Sequence, residues 1–191
     1  MTHLVLFDTA LGTVGLAWGE RGIVAVRLPA ATPEATRASL LARHPDAVEA
    51  EPPPAVRAVI DGIVALARGE RVDLSAAPLD RDGLADFQAR VTDVTLAIPP
   101  GETLTYGEVA RRIGEPGAAQ AVGRALGANP WPIVVPCHRV LAASGKTGGF
   151  SAPGGVDTKL KLLSIERART SPAPTLFDDD PAFGLRARPG R

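Results

Sequence analysis

Short apolar runs open the chain, and apolar residues at helical spacing follow. The runs HLVLFDT, TVGLAWG and GIVAVRLP, within residues 3–28, are rich in Val, Leu and Ile and read as strands. Gly12 and the pair Arg21-Gly22 mark tight turns between them, so the three predict a small antiparallel meander. Thr32-Pro33-Glu34 is a helix start, a capping hydroxyl followed by proline at the first helical position, and predicts a helix to about His44. Pro52, Pro53 and Pro54 end a linker, after which Val56, Val59, Ile60, Ile63, Val64 and Leu66 recur at helical period to about Gly69. Residues 71–79 read as a short edge strand or a linker. Pro78 and Gly83 then interrupt the pattern, which predicts a boundary between an N-terminal domain, 1–80, and a C-terminal one, 81–169.

The second region reads as mostly helical. Phe87, Val91, Val94, Leu96 and Ile98 predict one helix, stopped by Pro99-Pro100-Gly101. A short helix over 107–113, a turn over 114–117 and an alanine-rich helix over 118–127 give the outline of a helix-turn-helix, an outline that purely structural helical hairpins share. A strand-like apolar run, 133–135, leads into Pro136-Cys137-His138-Arg139-Val140. A glycine-rich loop, 145–155, and a last helix, 156–168, follow. The tail, 170–191, is rich in Pro, Asp and Arg and reads as disordered. The fold class is therefore α/β (α+β): a small antiparallel sheet with helices, then a mostly helical domain.

Charge refines this picture modestly. The chain carries 21 basic and 21 acidic groups, but residues 1–80 hold 7 and 10 of them, and residues 101–170 hold 9 and 5. A cationic segment beside an acidic one suits a local anionic partner such as a phosphate backbone. No run of about 18 apolar residues predicts a membrane span, and the N-terminus has no secretion-signal pattern. The single cysteine, Cys137, excludes an internal disulfide and a multi-Cys zinc site. It also fits a reducing compartment, so the expected location is the cytoplasm.

The chemistry centres on that cysteine. A lone buried cysteine is commonly inert packing. Cys137, however, lies between proline and histidine at the end of an apolar run, beside a glycine-rich loop that could rim a pocket. The His138 imidazole can accept a thiol proton, and Arg139 adds charge that favours thiolate, the nucleophilic form. Adjacent strand residues point to opposite faces, so adjacency alone does not bring the two side chains into contact, and a water could bridge them.

PCHRV resembles the active-site signature of the 6-O-alkylguanine-DNA alkyltransferases, the methylated-DNA–protein-cysteine methyltransferase family. Phe87-Gln88, Ile98-Pro99, Gly101, Thr105-Tyr106-Gly107, Ala110, Ala121-Val122-Gly123, Asn129-Pro130, Gly148, Phe150-Ser151, Lys159, Leu162-Leu163 and Glu166 follow at the family's spacing. The resemblance spans residues 85–168, and before that only the layout is similar. It implies a stoichiometric transfer of the alkyl group from guanine to Cys137, with no cofactor. His138 is then the base acting through water, Glu166 the group that holds and polarises it, and Asn129 the brace of the turn that carries the cysteine.

The resemblance also implies double-stranded DNA as partner, with the target base rotated out of the stack. Tyr106 would crowd the flipped nucleotide and meet the base. The loop with Gly148 and Phe150 would close over it, Ser151 would donate to the 6-oxygen, and carbonyls at Cys137 and Val140 would accept from the exocyclic amine. Lys159 belongs to the same base-binding set. Ala119, Gln120, Gly123 and Arg124 on the second helix, with Arg139, would contact DNA. Gln120 stands where the family usually has an arginine, Thr92 where it usually has a tryptophan, and the loop reads SAPGG where many relatives have SGG. The missing cation at position 120 predicts weaker DNA binding, partly offset by Arg111, Arg112 or Arg124. The segment 174–178 faintly resembles sliding-clamp docking motifs but lacks their leading glutamine. The expected state is a monomer. Two other functions fit parts of the pattern, a damage binder without chemistry and a Cys-His hydrolase that turns over repeatedly.

Overall fold

The structure, a computed structural model, describes residues 1–143, 147–171 and 186–187. Strands β1 (His3–Thr9), β2 (Gly12–Gly19) and β3 (Gly22–Arg27) form the expected antiparallel meander. The short β4 (Val48–Glu49) adds to β1 in parallel, giving the order β3-β2-β1-β4. Period-2 alternation sorts the side chains to the two faces. Leu4, Ala17 and Ala25 meet Leu40 of α1 (Pro33–Leu41) on one side. Val14, Leu16, Trp18 and Val26 meet Val56, Val59, Ile60 and Ile63 of α2 (Pro54–Ala67) on the other. Thr32 caps α1 by accepting from the Ala35 amide at 3.2 Å, with Pro33 in the first turn as its sequence signature predicts.

Between the two halves, residues 71–79 make a connection rather than a strand. Their one ladder contact is a bridge from Leu79 to Ile23. The Ile23 amide donates to Pro78 O at 2.7 Å, and Gly22, at φ +130°, leaves no room for a Cβ against that same carbonyl.

The C-terminal half holds α3 (Asp86–Leu96), β5 (Leu104–Thr105), α4 (Tyr106–Arg112), α5 (Ala119–Gly127), β6 (Val140–Leu141) and α6 (Gly155–Ile165). Parallel pairing of β5 with β6, unexpected from sequence, places the starts of α4 and of the post-cysteine segment side by side. Val91 and Ile98 pack with Val109, Val122, Leu126, Val140 and Cys137 in a cluster of their own. The larger core crosses between the halves, with Trp131, Ile133, Val134, Val135 and Leu162 joining the sheet and α2. Thr92 is buried in α3, where a small side chain suffices.

Three expectations are corrected. Residues 133–135 form a turn, not a strand, and Cys137–Arg139 is a single 3-10 turn. Pro130, Pro132 and Pro136 remove the amide donors that a strand ladder needs. Strand alternation therefore does not govern how Cys137 and His138 point. The last helix ends at Ile165, not 168: Glu166 caps it and Arg167 turns into the left-handed region at φ 49°. In the tail, Arg169–Ser171 and Arg186–Ala187 pair in parallel where no structure was expected. The rest of the tail, with 174–178, lies outside the described residues, as do residues 144–146 of the loop.

Candidate active site

The cysteine turn is closed by one side chain. Asn129 Nδ2 donates to Val135 O at 2.9 Å, and Asn129 Oδ1 accepts from the Trp131 amide at 3.0 Å. The same carboxamide also acts on the Cys137 thiol in the direction of ionisation. Within the turn, Ile133 is held at φ 73°, a conformation that costs a β-branched residue about 1–3 kcal/mol and persists only where its surroundings impose it. Those surroundings include Trp131, whose indole Nε1 donates to Ile23 O at 2.7 Å and so ties the turn to β3.

Behind the sulfur lies a buried polar cluster. His138 Nε2 is 2.9 Å from Glu166 Oε1. Arg139 grips the same carboxylate through Nε to Oε2 at 2.9 Å and Nη2 to Oε1 at 2.8 Å, and Arg139 Nη1 donates to Ile98 O. Burial opposes ionisation of Glu166, but His138 and Arg139 together outweigh it and hold the carboxyl down to about 2. Burial lowers His138 in spite of Glu166, so the imidazole rests neutral. A neutral ring against an ionised carboxylate must carry its proton on Nε2, which leaves Nδ1 a lone pair. Nδ1 is buried with no hydrogen-bond partner among the described residues. It is the atom free to take a proton.

Cys137 itself is 8% exposed, inside its cluster rather than on an open rim. Burial pushes its thiol up, against the smaller opposing effects of Asn129, Lys159 and backbone amides. The resting sulfur is therefore a thiol, not the thiolate that adjacent charges suggested, and it must lose its proton as it reacts. A cavity of about 600 Å³ lies behind Glu166, between Arg68, Arg71, Glu102 and Arg167, and does not reach Cys137.

Above the sulfur sit Tyr106 and the loop. Thr105 and Glu108 form a reciprocal capping box, with the Thr105 amide donating to Glu108 Oε2 at 2.6 Å and the Glu108 amide to Thr105 Oγ1 at 3.2 Å. This box fixes Tyr106 as the first residue of α4. Its ring touches Gly123 of α5 and lies so close to Gly148 that a Cβ there would come within 2.9 Å of Tyr106 Oη. Gly148 also sits at φ +69°, so only glycine suits both demands. Phe150 packs against the clusters on both sides. Ser151 Oγ donates to Gly127 O, the last residue of α5, at 2.9 Å. Lys159 is fully buried and donates from Nζ to Val140 O at 2.6 Å.

The helix-turn-helix is formed by α4 and α5. Gln120, Arg124 and Gly127 are exposed at successive turns of α5, Ala119 and Gly123 are half-buried, and Arg111 and Arg112 are exposed on α4. None of these three arginines is in an ion pair among the described residues. The face is thus cationic without local neutralisation.

Residues 86–168 match the family described as 6-O-methylguanine DNA methyltransferase, DNA binding domain. The methylated-DNA–protein-cysteine methyltransferase of Mycobacterium tuberculosis is 40% identical over 178 residues, 93% of this chain and 100% of that protein. The chain belongs to this methyltransferase family. A second member, from Methanothermobacter thermautotrophicus, is 37% identical over 80% of this chain and 78% of its own length. Among solved structures, Mycobacterium tuberculosis OGT in complex with DNA superposes with a TM-score of 0.69 at 39% identity, covering 86% of this chain and 93% of that one.

Within the family framework the structure links His138 to Glu166, Asn129 to the turn before Cys137, and Lys159 to Val140, and packs Tyr106 and Phe150 against the cluster that holds Cys137, with Gly148 against Tyr106 and Ser151 on Gly127 O. It does not bring Arg139 to the DNA face. That residue is 5% exposed and committed to Glu166, because a buried carboxylate needs a buried cation. Sequence reading does not single out Glu108 or Trp131. The Thr105-x-x-Glu108 spacing was a readable capping signal. Trp131 carries no local signature, and Gln88, one of the family-spaced residues, braces α5 by donating to Ala125 O at 2.8 Å.

Proposed function

We propose that this protein repairs alkylated DNA by moving an alkyl group from the 6-oxygen of guanine irreversibly onto Cys137. The observation that carries the reading is the ordered set Cys137–His138–Glu166, with His138 Nδ1 free and its tautomer set by a carboxylate that stays ionised. The thiol proton passes through a water to Nδ1. The sulfur attacks the alkyl carbon, the carbon–oxygen bond breaks, and its electron pair leaves with the guanine oxygen, which accepts a hydrogen bond from Ser151. Ser151 must first release Gly127 O, so the resting loop is the closed, base-free arrangement. A thioether is a poor leaving group, and the reaction ends after one equivalent.

On this reading the duplex lies against the exposed stripe of α5 through its minor groove. The base swings out past Tyr106, and residues 147–155 move to admit it. The N-terminal sheet serves as scaffold, one protein molecule acts alone, and the cytoplasm is its place of work. Intact-mass analysis after incubation with a 6-O-methylguanine oligonucleotide tests the core of this. One methyl on the Cys137 peptide, saturating at one equivalent, is expected. Tight binding with no mass change would leave a damage binder, and repeated ester or peptide turnover would leave a hydrolase.

A further inference from the structure

The cavity of about 600 Å³ opens where the two halves meet, away from Cys137. Its walls are the end of α2 with Arg68, Gly69 and Arg71, the loop after α3 with Glu102, and the end of α6 with Arg167. Backbone amides close both helix ends in the same way. Glu70 N donates to Ala65 O at 3.1 Å and Gly69 N to Leu66 O at 2.9 Å, while Ala168 N donates to Leu163 O at 2.9 Å and Arg167 N to Ser164 O at 3.0 Å. This pattern puts one residue of each end in the left-handed region, where glycine is usual. Helix α2 uses Gly69, at φ +89°, but α6 uses Arg167, at φ 49°. A residue with a Cβ is disfavoured there, and the backbone bonds that close α6 do not need its side chain. What the arginine adds is a guanidinium on the cavity wall. Arg71 Nη2 donates to Pro100 O at 2.8 Å and is held on the same wall. Arg68, Arg71 and Arg167 are exposed, and none is in an ion pair among the described residues. The nearby Glu166 carboxylate does not neutralise them, because His138 and Arg139 hold both its oxygens.

Three unpaired guanidiniums on one concavity match a doubly charged oxyanion, since the planar fork of arginine pairs two phosphate oxygens at once. Inorganic phosphate would leave most of the space empty and set its charge against Glu102. Sites for small organic ligands span roughly 300–1,000 Å³, and the Glu102 carboxylate accepts hydrogen bonds from donors that such a ligand can carry. We propose that this cavity binds a phosphate monoester of nucleotide size, its phosphate on Arg68, Arg71 and Arg167 and its donor groups on Glu102. The site is separate from the alkyl-accepting one, and no covalent bond forms or breaks in it.

The test titrates the full chain by calorimetry with adenosine 5′-monophosphate, whose base lacks the 6-oxygen of the proposed substrate, beside adenosine and inorganic phosphate. The nucleotide is expected to saturate at one equivalent, about tenfold tighter than inorganic phosphate, with no heat from adenosine. Arg68→Ala and Arg167→Gly should each weaken it by about tenfold. Arg167→Gly should also melt no lower than wild type, because glycine suits that backbone. An arginine kept only for structure predicts the opposite, a lower melting temperature with binding intact. Glu102→Gln should weaken the nucleotide and tighten inorganic phosphate. Arg124→Ala on α5 is the control. Loss of the nucleotide in that variant, unchanged affinity in the cavity variants, or no saturable binding to wild type overturns the proposal. Competition by a single-stranded oligonucleotide with a 5′-phosphate then identifies the source of the ester. Displacement supports a site for strand ends, and retention supports one for free nucleotide.

Discussion

The two sides of Cys137 are built on opposite principles. Behind the sulfur, Glu166, His138 and Arg139 form a dry cluster in which both carboxylate oxygens are occupied and one nitrogen alone is left open. In front of it, Tyr106 rests against two glycines, Ser151 is held by a single bond to a helix-end carbonyl, and Gln120 and Arg124 project into solvent. On the proposed function, the contrast separates two tasks. Proton transfer needs groups fixed before the substrate arrives, and a buried network supplies that rigidity. Admitting a nucleotide needs parts that give way at little cost, which weakly tied loops provide.

The largest test of that contrast is Glu166→Gln. It leaves the Arg139 charge buried without an anion and lets the His138 tautomer exchange. Thermal unfolding should register a loss of about 3 kcal/mol, and single-turnover transfer should slow by about a hundredfold. Wild-type rates in a folded variant would break the claim that the rear cluster drives proton transfer. Acid gives a related measure. Glu166 has a folded pKa lowered to about 2, so its contribution is present above the unfolded carboxyl value and is lost as pH falls through the folded one. His138 is also lowered, so its share is lost as pH falls below the usual imidazole range. Denaturant titrations should therefore show stability falling on acidification, in two stages. The lower stage, between about pH 4.5 and pH 2, should be absent in Glu166→Gln.

On the front side, Gly148→Ala should slow transfer by about tenfold while moving the melting temperature little, because the methyl meets Tyr106 and the backbone sits at positive φ in a loop. A large melting shift would mean that the loop is as rigid as the rear cluster. The smallest effect is expected from Gln120→Arg, a severalfold gain in duplex affinity with a salt slope steeper by about one. Equal affinity of both forms across a salt series would remove position 120 from the DNA contact.

The sequence made the elements legible where local chemistry decides them. The Thr32-Pro33 start of α1, the proline stop after α3 and the glycine turn between α4 and α5 all sit where their residues suggest. The candidate site was legible through the order of the family's residues, among which Asn129 hydrogen-bonds Val135 O and the Trp131 amide within the turn. Long-range effects were not legible. Val134 and Val135 look like a strand, yet the surrounding prolines and the Asn129 brace fold them into a turn. Arg139 looks like a surface cation until the buried carboxylate of Glu166, 27 residues away, claims it. The thiol of Cys137 looks activated by its charged neighbours until burial proves the larger effect.

The indole of Trp131 has a practical consequence. It is a buried fluorophore six positions ahead of the sulfur, hydrogen-bonded across to the first sheet. The chain's other tryptophan, Trp18, lies in the same sheet core, and exchanging it for phenylalanine leaves a single emitter. Its colour and lifetime would then distinguish fresh from spent molecules in real time, without label or radioisotope.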